Sequence, residues 1–283
     1  MKPFDTLAPE LARKIDFVLC DLDDTLTSGG RLPAASYAGL EELSGHGKKV
    51  IVVTGRPAGW CDMIARFWPV EGVVGENGAF YFRYRRGENR MVREFQRSEG
   101  ERGRDRERLL GMLAQIRLKY PELRLAADQP FRISDIAIDM CEDVKPLPKA
   151  AVKDVAASFG ALGAKARVSS IHINAWMGDF DKLSMLSAFL RDEFGMSKSA
   201  AKAHALYVGD SPNDEPMFAH FAHTVGVRNI ENFAAEMRAL PKFITRAAGG
   251  QGFLEVAGLL TRAAKPVSPK GGRSRKSSSP RRR

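Results

Sequence analysis

Short apolar runs that end in polar clusters alternate with longer amphipathic stretches at the start of the chain. Ile15 to Cys20 reads as a buried strand that stops at a burst of acids, Asp21-Leu22-Asp23-Asp24-Thr25. A helical stretch follows over residues 34–46, then a second apolar strand, Val50 to Val53, ending at Thr54-Gly55-Arg56. Another helix over 58–68 leads to a short strand at Gly72 to Val74. Strand, helix, strand, helix, strand at this spacing predicts a parallel sheet with right-handed crossovers.

From about residue 79 the pattern changes. Ala79 to Tyr84 and Met91 to Phe95 read as strands around a turn at Gly87, and 98–119 as a helix with a charged outer face. Arg132 to Cys141 alternates like a strand with Ile136, Ile138 and Met140 on one face; 147–160 reads as a helix, and Arg167 to Trp176 alternates again. The doubly wound pattern then resumes: a helix over 181–194, a strand at Leu206 to Val208, a helix near 214–221, strands at Thr224 to Val227 and Phe243 to Thr245, and a helix through Leu260. The expected fold is α/β, a Rossmann-like parallel-sheet core formed by residues 1–84 and 181–264. Residues 85–180 are expected to form an inserted α+β domain.

A chain of 283 residues fits two such units and buries a sizeable core without disulfides. The three cysteines, Cys20, Cys61 and Cys141, are too scattered for a disulfide framework or a zinc ribbon. No stretch approaches a membrane span, and the first residues lack a signal-peptide core, so a cytoplasmic protein is expected. The net charge of +10 belongs to one segment. Residues 265–283 hold eight Lys or Arg and no acid; without them 36 basic side chains face 34 acidic ones. That tail reads as disordered. It suits either weak contact with nucleic acid or another anionic surface, or plain solubility; no aromatic residue interleaves its charges. The many arginines between Arg83 and Arg108 are mixed with acids, which favours ion-paired solvated faces.

The candidate chemistry sits at the ends of the parallel strands, where ligands bind in open α/β sheets. Asp21, Asp23 and Asp24 repel one another and are tolerated where a cation or a reacting group compensates; an acidic turn capping the next helix is the alternative. Thr54 offers a hydroxyl to an anion. Lys182 opens a helix and can neutralise an oxyanion. Gly209-Asp210-Ser211-Pro212-Asn213-Asp214 ends a further strand with two more carboxylates. Singly, Thr54 and Lys182 are commonplace; in this order, each beside a parallel-strand pattern, the four form a constellation.

That constellation resembles the four motifs of the haloacid dehalogenase-like (HAD) superfamily of phosphohydrolases, over roughly residues 13–262. About 100 residues between the second and third motifs resemble a type 2 cap. Gly75-Glu76-Asn77-Gly78-Ala79 and Gly249-Gly250-x-Gly252 are similar to the Cof-like, subclass IIB group, which includes sugar phosphatases and phosphomannomutases. Leu183 departs from it, standing where many Cof-type members carry Gly. The resemblance implies Asp21 as nucleophile and Asp23 as general acid and base. It implies magnesium at Asp21, the Asp23 carbonyl, Asp210 and Asp214, and phosphoryl binding by Thr54, Gly55 and Lys182. Asn213 would orient Lys182 or Asp214. Asp24 reads as a turn residue, since many relatives have Gly there. Arg56 would touch the leaving group or the cap, with a surface salt bridge as the alternative. By their own position, His172 and Asn174, two apart on one face of the last inserted strand, would face the substrate from the cap, with a satisfied structural histidine as the equal alternative. The expected substrate is a small phosphorylated metabolite, in the first place a sugar phosphate. A phosphomutase, or a nucleic-acid-associated protein acting through its tail, are the other readings.

Overall fold

The computed structural model describes residues 1–264. The basic tail, with the contacts expected of it, lies outside the described residues. Strands and helices are numbered in chain order. One nine-stranded sheet runs in the order β1 (Lys2–Pro3), β13 (Phe243–Ile244), β12 (His223–Gly226), β11 (Ala205–Gly209), β2 (Phe17–Cys20), β3 (Lys49–Val53), β4 (Gly72–Gly75), β5 (Phe80–Arg85) and β6 (Arg90–Phe95). Neighbours from β1 to β4 are parallel, and β5 and β6 add an antiparallel hairpin. The two ends of the chain thus build one sheet, with β2 beside β11.

Period-two alternation explains why these strands are apolar throughout. In β2, Val18 and Cys20 point to one face, packed with α2 (Ala34–Gly45), α3 (Ala58–Phe67) and α9 (Gly249–Ala263). Phe17 and Leu19 point to the other, packed with α6 (Lys182–Phe194), α7 (Lys198–His204) and α8 (Glu215–His220). The short α1 (Pro9–Lys14) leads into β2 and packs on α9.

A separate antiparallel sheet has the order β7 (Arg124–Leu125), β8 (Ile136–Asp139), β10 (His172–Trp176), β9 (Lys165–Val168). Ile136, Ile138, Ile173 and Ala175 bury one face of it against α4 (Glu99–Arg117) and α5 (Lys149–Ala161). Alternation therefore turns His172, Asn174 and Asp139 to the opposite face.

Three sequence expectations change. The division after residue 84 cuts the β5–β6 hairpin: β6 pairs with β5 residue for residue from Phe80–Phe95 to Arg85–Arg90 and belongs to the large sheet. The aromatic rings of Phe80, Phe82 and Phe95 pack together across that hairpin, which ties it to the core. The stretch 167–176 is not one strand but a hairpin, β9 and β10, turning at 169–171. Likewise 132–135 lies outside β8, because the N–H groups of Ile133, Ser134 and Asp135 are drawn to a buried carboxylate described below.

Candidate functional site

The site forms where β2 and β11 end side by side. Asp21 continues the ladder, its N–H donating to the Val208 carbonyl, and its side chain is buried. Gly78 and Gly209 make the close approaches possible. Gly78 has φ +103°, and a Cβ there would lie 2.0 Å from the Asp181 carbonyl oxygen at the start of α6. A Cβ on Gly209 would lie 2.4 Å from Asp214 Oδ2. Asp181 caps α6 by accepting from the Ser184 N–H at 2.8 Å. Lys182, the first residue of that helix, is thereby aimed inward.

Lys182 Nζ donates to Asp21 Oδ1 at 2.7 Å and to Asp214 Oδ1 at 2.8 Å. Tyr207 Oη donates to the same Asp214 oxygen at 2.6 Å, and the Asp210 and Ser211 N–H groups donate to Asp214 Oδ2. Both oxygens of Asp214 are therefore occupied. Asp210 Oδ2 accepts from Asn229 Nδ2 at 3.0 Å; Asn229 also donates to the Asp24 carbonyl. Asp24 itself has φ +53°, the left-handed region that favours glycine, consistent with its reading as a turn residue. Thr54 is fully buried and its Oγ1 accepts from the Arg56 N–H. Asn213 is brought to the site, but its Oδ1 accepts from Ser211 Oγ rather than meeting Lys182 or Asp214.

Burial first, then the neighbouring charges of Asp214 and Asp23, push the Asp21 carboxyl up to about 8 against the opposing pull of Lys182. Asp210 is driven well above its usual range by burial and by Asp21. Burial works against the Lys182 charge, yet Asp21 and Asp214 outweigh it and raise its pKa. Oxygens of Asp21, Asp210 and Asp214 all lie within 4.8 Å of one another. Together with Asp23, four carboxylates face, among the described residues, the cations Lys182 and Arg56 alone, so a divalent cation fits the unbalanced charge and the hard-oxygen donor set. Asp21 keeps its second oxygen for it. Asp210 accepts only one donor at each oxygen, from Thr25 Oγ1 at 3.5 Å and from Asn229. These two suit direct contact, and Asp214, with two donors on each oxygen, a position one water away.

Arg56 reaches the inserted unit, as one expectation had it, through buried ion pairs rather than a surface salt bridge. It is buried, with Nη2 2.9 Å from Asp23 Oδ1 and 2.7 Å from Glu142 Oε1, and Nη1 3.4 Å from Asp128 Oδ2. Its guanidinium lies 4.5 Å from the Trp60 ring centre. It thus joins Asp23 to the inserted unit. Glu142 is positioned by Asp139, whose Oδ1 accepts from the Cys141 and Glu142 N–H groups. His172 Nε2 lies 2.9 Å from Glu142 Oε2, without hydrogen-bond alignment. His172 and then Arg56 pull the Glu142 carboxyl down to about 2. Asn174 Nδ2 donates to Asp135 Oδ2 at 2.9 Å. Arg132, also buried, pairs with Asp128 and Asp135 and donates to the Gly55 carbonyl. Glu76 accepts from the N–H groups of Ala58, Ile133, Ser134 and Asp135, tying α3 to the inserted segment. Burial and Asp135 push its carboxyl up to about 8 against Arg132 and those N–H donors.

Asp21, Asp23, Gly55, Arg56, His172, Asn174, Ser211 and Asn213 all line one chamber of about 10 Å³. The structure therefore brings the inserted strand's His172 and Asn174 to the same space as Asp21. Sequence reasoning missed Tyr207, Asn229, Asp128, Arg132, Asp135 and Glu142. Glu76 was noted only within a motif.

Residues 18–100 match the family model of haloacid dehalogenase-like hydrolases. A comparison with curated proteins finds no match. Among solved structures, Thermoplasma acidophilum 0175 aligns over 87% of this chain and 98% of its own, with TM-score 0.66 and 17% identity. A HAD/COF-like hydrolase from Plasmodium vivax aligns over 90% and 98%, with TM-score 0.61 and 16% identity. The sucrose-phosphatase of Synechocystis, solved with sucrose and phosphate, aligns over 88% and 98%, with TM-score 0.58 and 15% identity. At these identities the likeness is one of fold.

Proposed function

We propose that the chain, whose residues 18–100 match the haloacid dehalogenase-like hydrolase model, is an enzyme of that family and a magnesium-dependent phosphatase acting on a small phosphorylated metabolite, a sugar phosphate in the first place. The observation that carries this reading is Asp21 at the end of β2, held at one oxygen by Lys182 and surrounded by Asp23, Asp210 and Asp214. The sucrose-phosphatase likeness directs the substrate choice toward sugar phosphates.

Asp21 attacks phosphorus through its second oxygen and forms an aspartyl-phosphate while the bond to the leaving oxygen breaks. Asp23 gives its proton to that oxygen, then takes one from the water that attacks the same phosphorus and frees Asp21 and inorganic phosphate. Lys182, the Thr54 hydroxyl and the Gly55 backbone bind the phosphoryl oxygens as their charge shifts. Asp21, the Asp23 carbonyl and Asp210, with Asp214 behind them, would hold magnesium, which would supply charge neutralisation at the phosphoryl group. Arg56 occupies both Asp23 oxygens in this closed arrangement, so proton donation requires that one of these contacts open. Glu142 holds the same guanidinium, which couples Asp23 to movement of the inserted unit. That unit, bounded by β6 and α6, acts as the cap. His172 and Asn174 belong to its substrate-facing surface.

The test is a panel of phosphorylated metabolites with and without magnesium, following phosphate and isomer formation, with Asp21→Asn as blank. Magnesium-dependent phosphate release absent from the variant is expected. Full activity in Asp21→Asn rejects the nucleophile, and isomer formation without phosphate release replaces the phosphatase with a mutase.

A further inference from the structure

The chamber above Asp21 and Asp23, at about 10 Å³, holds roughly one water. Beside it lies a groove of about 630 Å³ between the inserted unit and the segment that follows β11, a volume typical of small-molecule sites. The two spaces share walls. Ser169 and Ser170 line both, Ser211 lines the chamber, and the next residue, Pro212, lines the groove.

The groove has two chemical parts. Leu147, Val152, Val168 and Phe233 give it an apolar side. Lys149, Arg167 and Arg238 give it charge, and among the described residues none of the three has an acidic partner. Its two acids are engaged. Glu236 pairs with Lys153 at 3.2 Å, and Glu215 accepts from the Arg238 and Ala239 N–H groups. The surplus is therefore positive, and it sits across the shared Ser169–Ser170 wall from the chamber beside Asp21 and Asp23. A neutral polyol leaves those cations with water alone; an anion pairs with them.

We propose that this groove takes the alcohol part of the substrate, and that this part presents an apolar face and carries a second anionic group, a carboxylate or a phosphate. The proposal rests on the phosphatase reading above and narrows it: the substrate is a phosphate monoester with an acidic tail rather than a simple neutral sugar phosphate.

The test compares ω-carboxyalkyl phosphates with alkyl phosphates of equal length. Wild-type enzyme should favour the carboxylated ester in kcat/KM, and Lys149→Ala/Arg167→Ala should lower that ratio about tenfold, whereas a ratio within about twofold of wild type overturns the proposal. A wild-type preference for the neutral ester overturns it as well. A second readout is independent of turnover. Cys141 is exposed and lines the groove, while Cys20 and Cys61 are buried. The ω-hydroxycarboxylate product should slow maleimide labelling of Cys141 in the wild type and not in the double variant. Failure of the wild type to hydrolyse any ester, with Cys141 protection intact, defeats the phosphatase reading and leaves the anion-binding groove standing. Absence of protection defeats the groove.

Discussion

At the scale of single residues, the site is a set of buried charges that hold one another in place. Tyr207 Oη is one of the two side-chain donors to Asp214 Oδ1, the other being Lys182. Tyr207→Phe removes it and leaves a buried carboxylate oxygen one donor short. Stability should fall by about 1–2 kcal/mol in a denaturant titration, and turnover by about tenfold or more, as for other positioning contacts around reacting groups. Glu142 gives a pH-dependent counterpart. Its folded pKa, about 2, lies below the ordinary 4.5, so the ionised form stabilises the fold. That contribution is complete above about pH 4.5 and disappears as pH falls toward 2. Glu142→Gln should therefore melt below wild type at neutral pH, and the gap should close on acidification. A gap independent of pH would show that the Arg56 and His172 contacts do not depend on the Glu142 charge. Asp21, Asp23, Thr54, Lys182, Asp210 and Asp214, which the structure gathers in one place, stood out in the sequence because each lies within a few residues of a strand end or a helix start. Glu142, Asp128 and Tyr207 did not. They reach the site through tertiary packing across long stretches of chain, and nothing in their local sequence marks them.

At the scale of elements, helix entries and tight turns aim the side chains. Gly78 lies against the start of α6, and Gly78→Ala introduces both left-handed strain and a backbone clash at 2.0 Å. A loss of about 3 kcal/mol is expected, with Lys182 displaced and turnover reduced beyond the stability effect. Gly111, in α4, makes the contrast: a Cβ there meets nothing within 4 Å, so Gly111→Ala should stabilise the protein by about 1 kcal/mol with turnover unchanged, as read by thermal melting and assay. The elements themselves were mostly legible from apolar periodicity. The errors share a cause. Residues 132–135 alternate like a strand, but the Ile133, Ser134 and Asp135 N–H groups satisfy the buried Glu76 carboxylate. The 167–176 run alternates through a turn that no Gly or Pro marks. Short β1 and β7, and α1 and α7, carried too little pattern to be noticed.

At the scale of the whole molecule, an α/β core places strand ends and helix starts on one side, and an inserted unit covers them. The pairs Arg56–Glu142 and Arg132–Gly55 cross between the two. The core and insertion were legible as a change of pattern and back again; the true edge of the insertion was not, because β6 looks locally like any amphipathic strand. Within residues 1–264 the charge is nearly balanced, so removing 265–283 should leave turnover unchanged; a loss on truncation would make the tail part of the enzyme. The central claim is that Asp21 carries the phosphoryl group during turnover. The most direct measurement is mass spectrometry of peptides from acid-quenched enzyme, mixed with magnesium and a hydrolysed substrate. A phosphoryl adduct on Asp21, absent in Asp21→Asn, is the result expected. Steady turnover with the adduct on another residue, or undiminished turnover in Asp21→Asn, would contradict it.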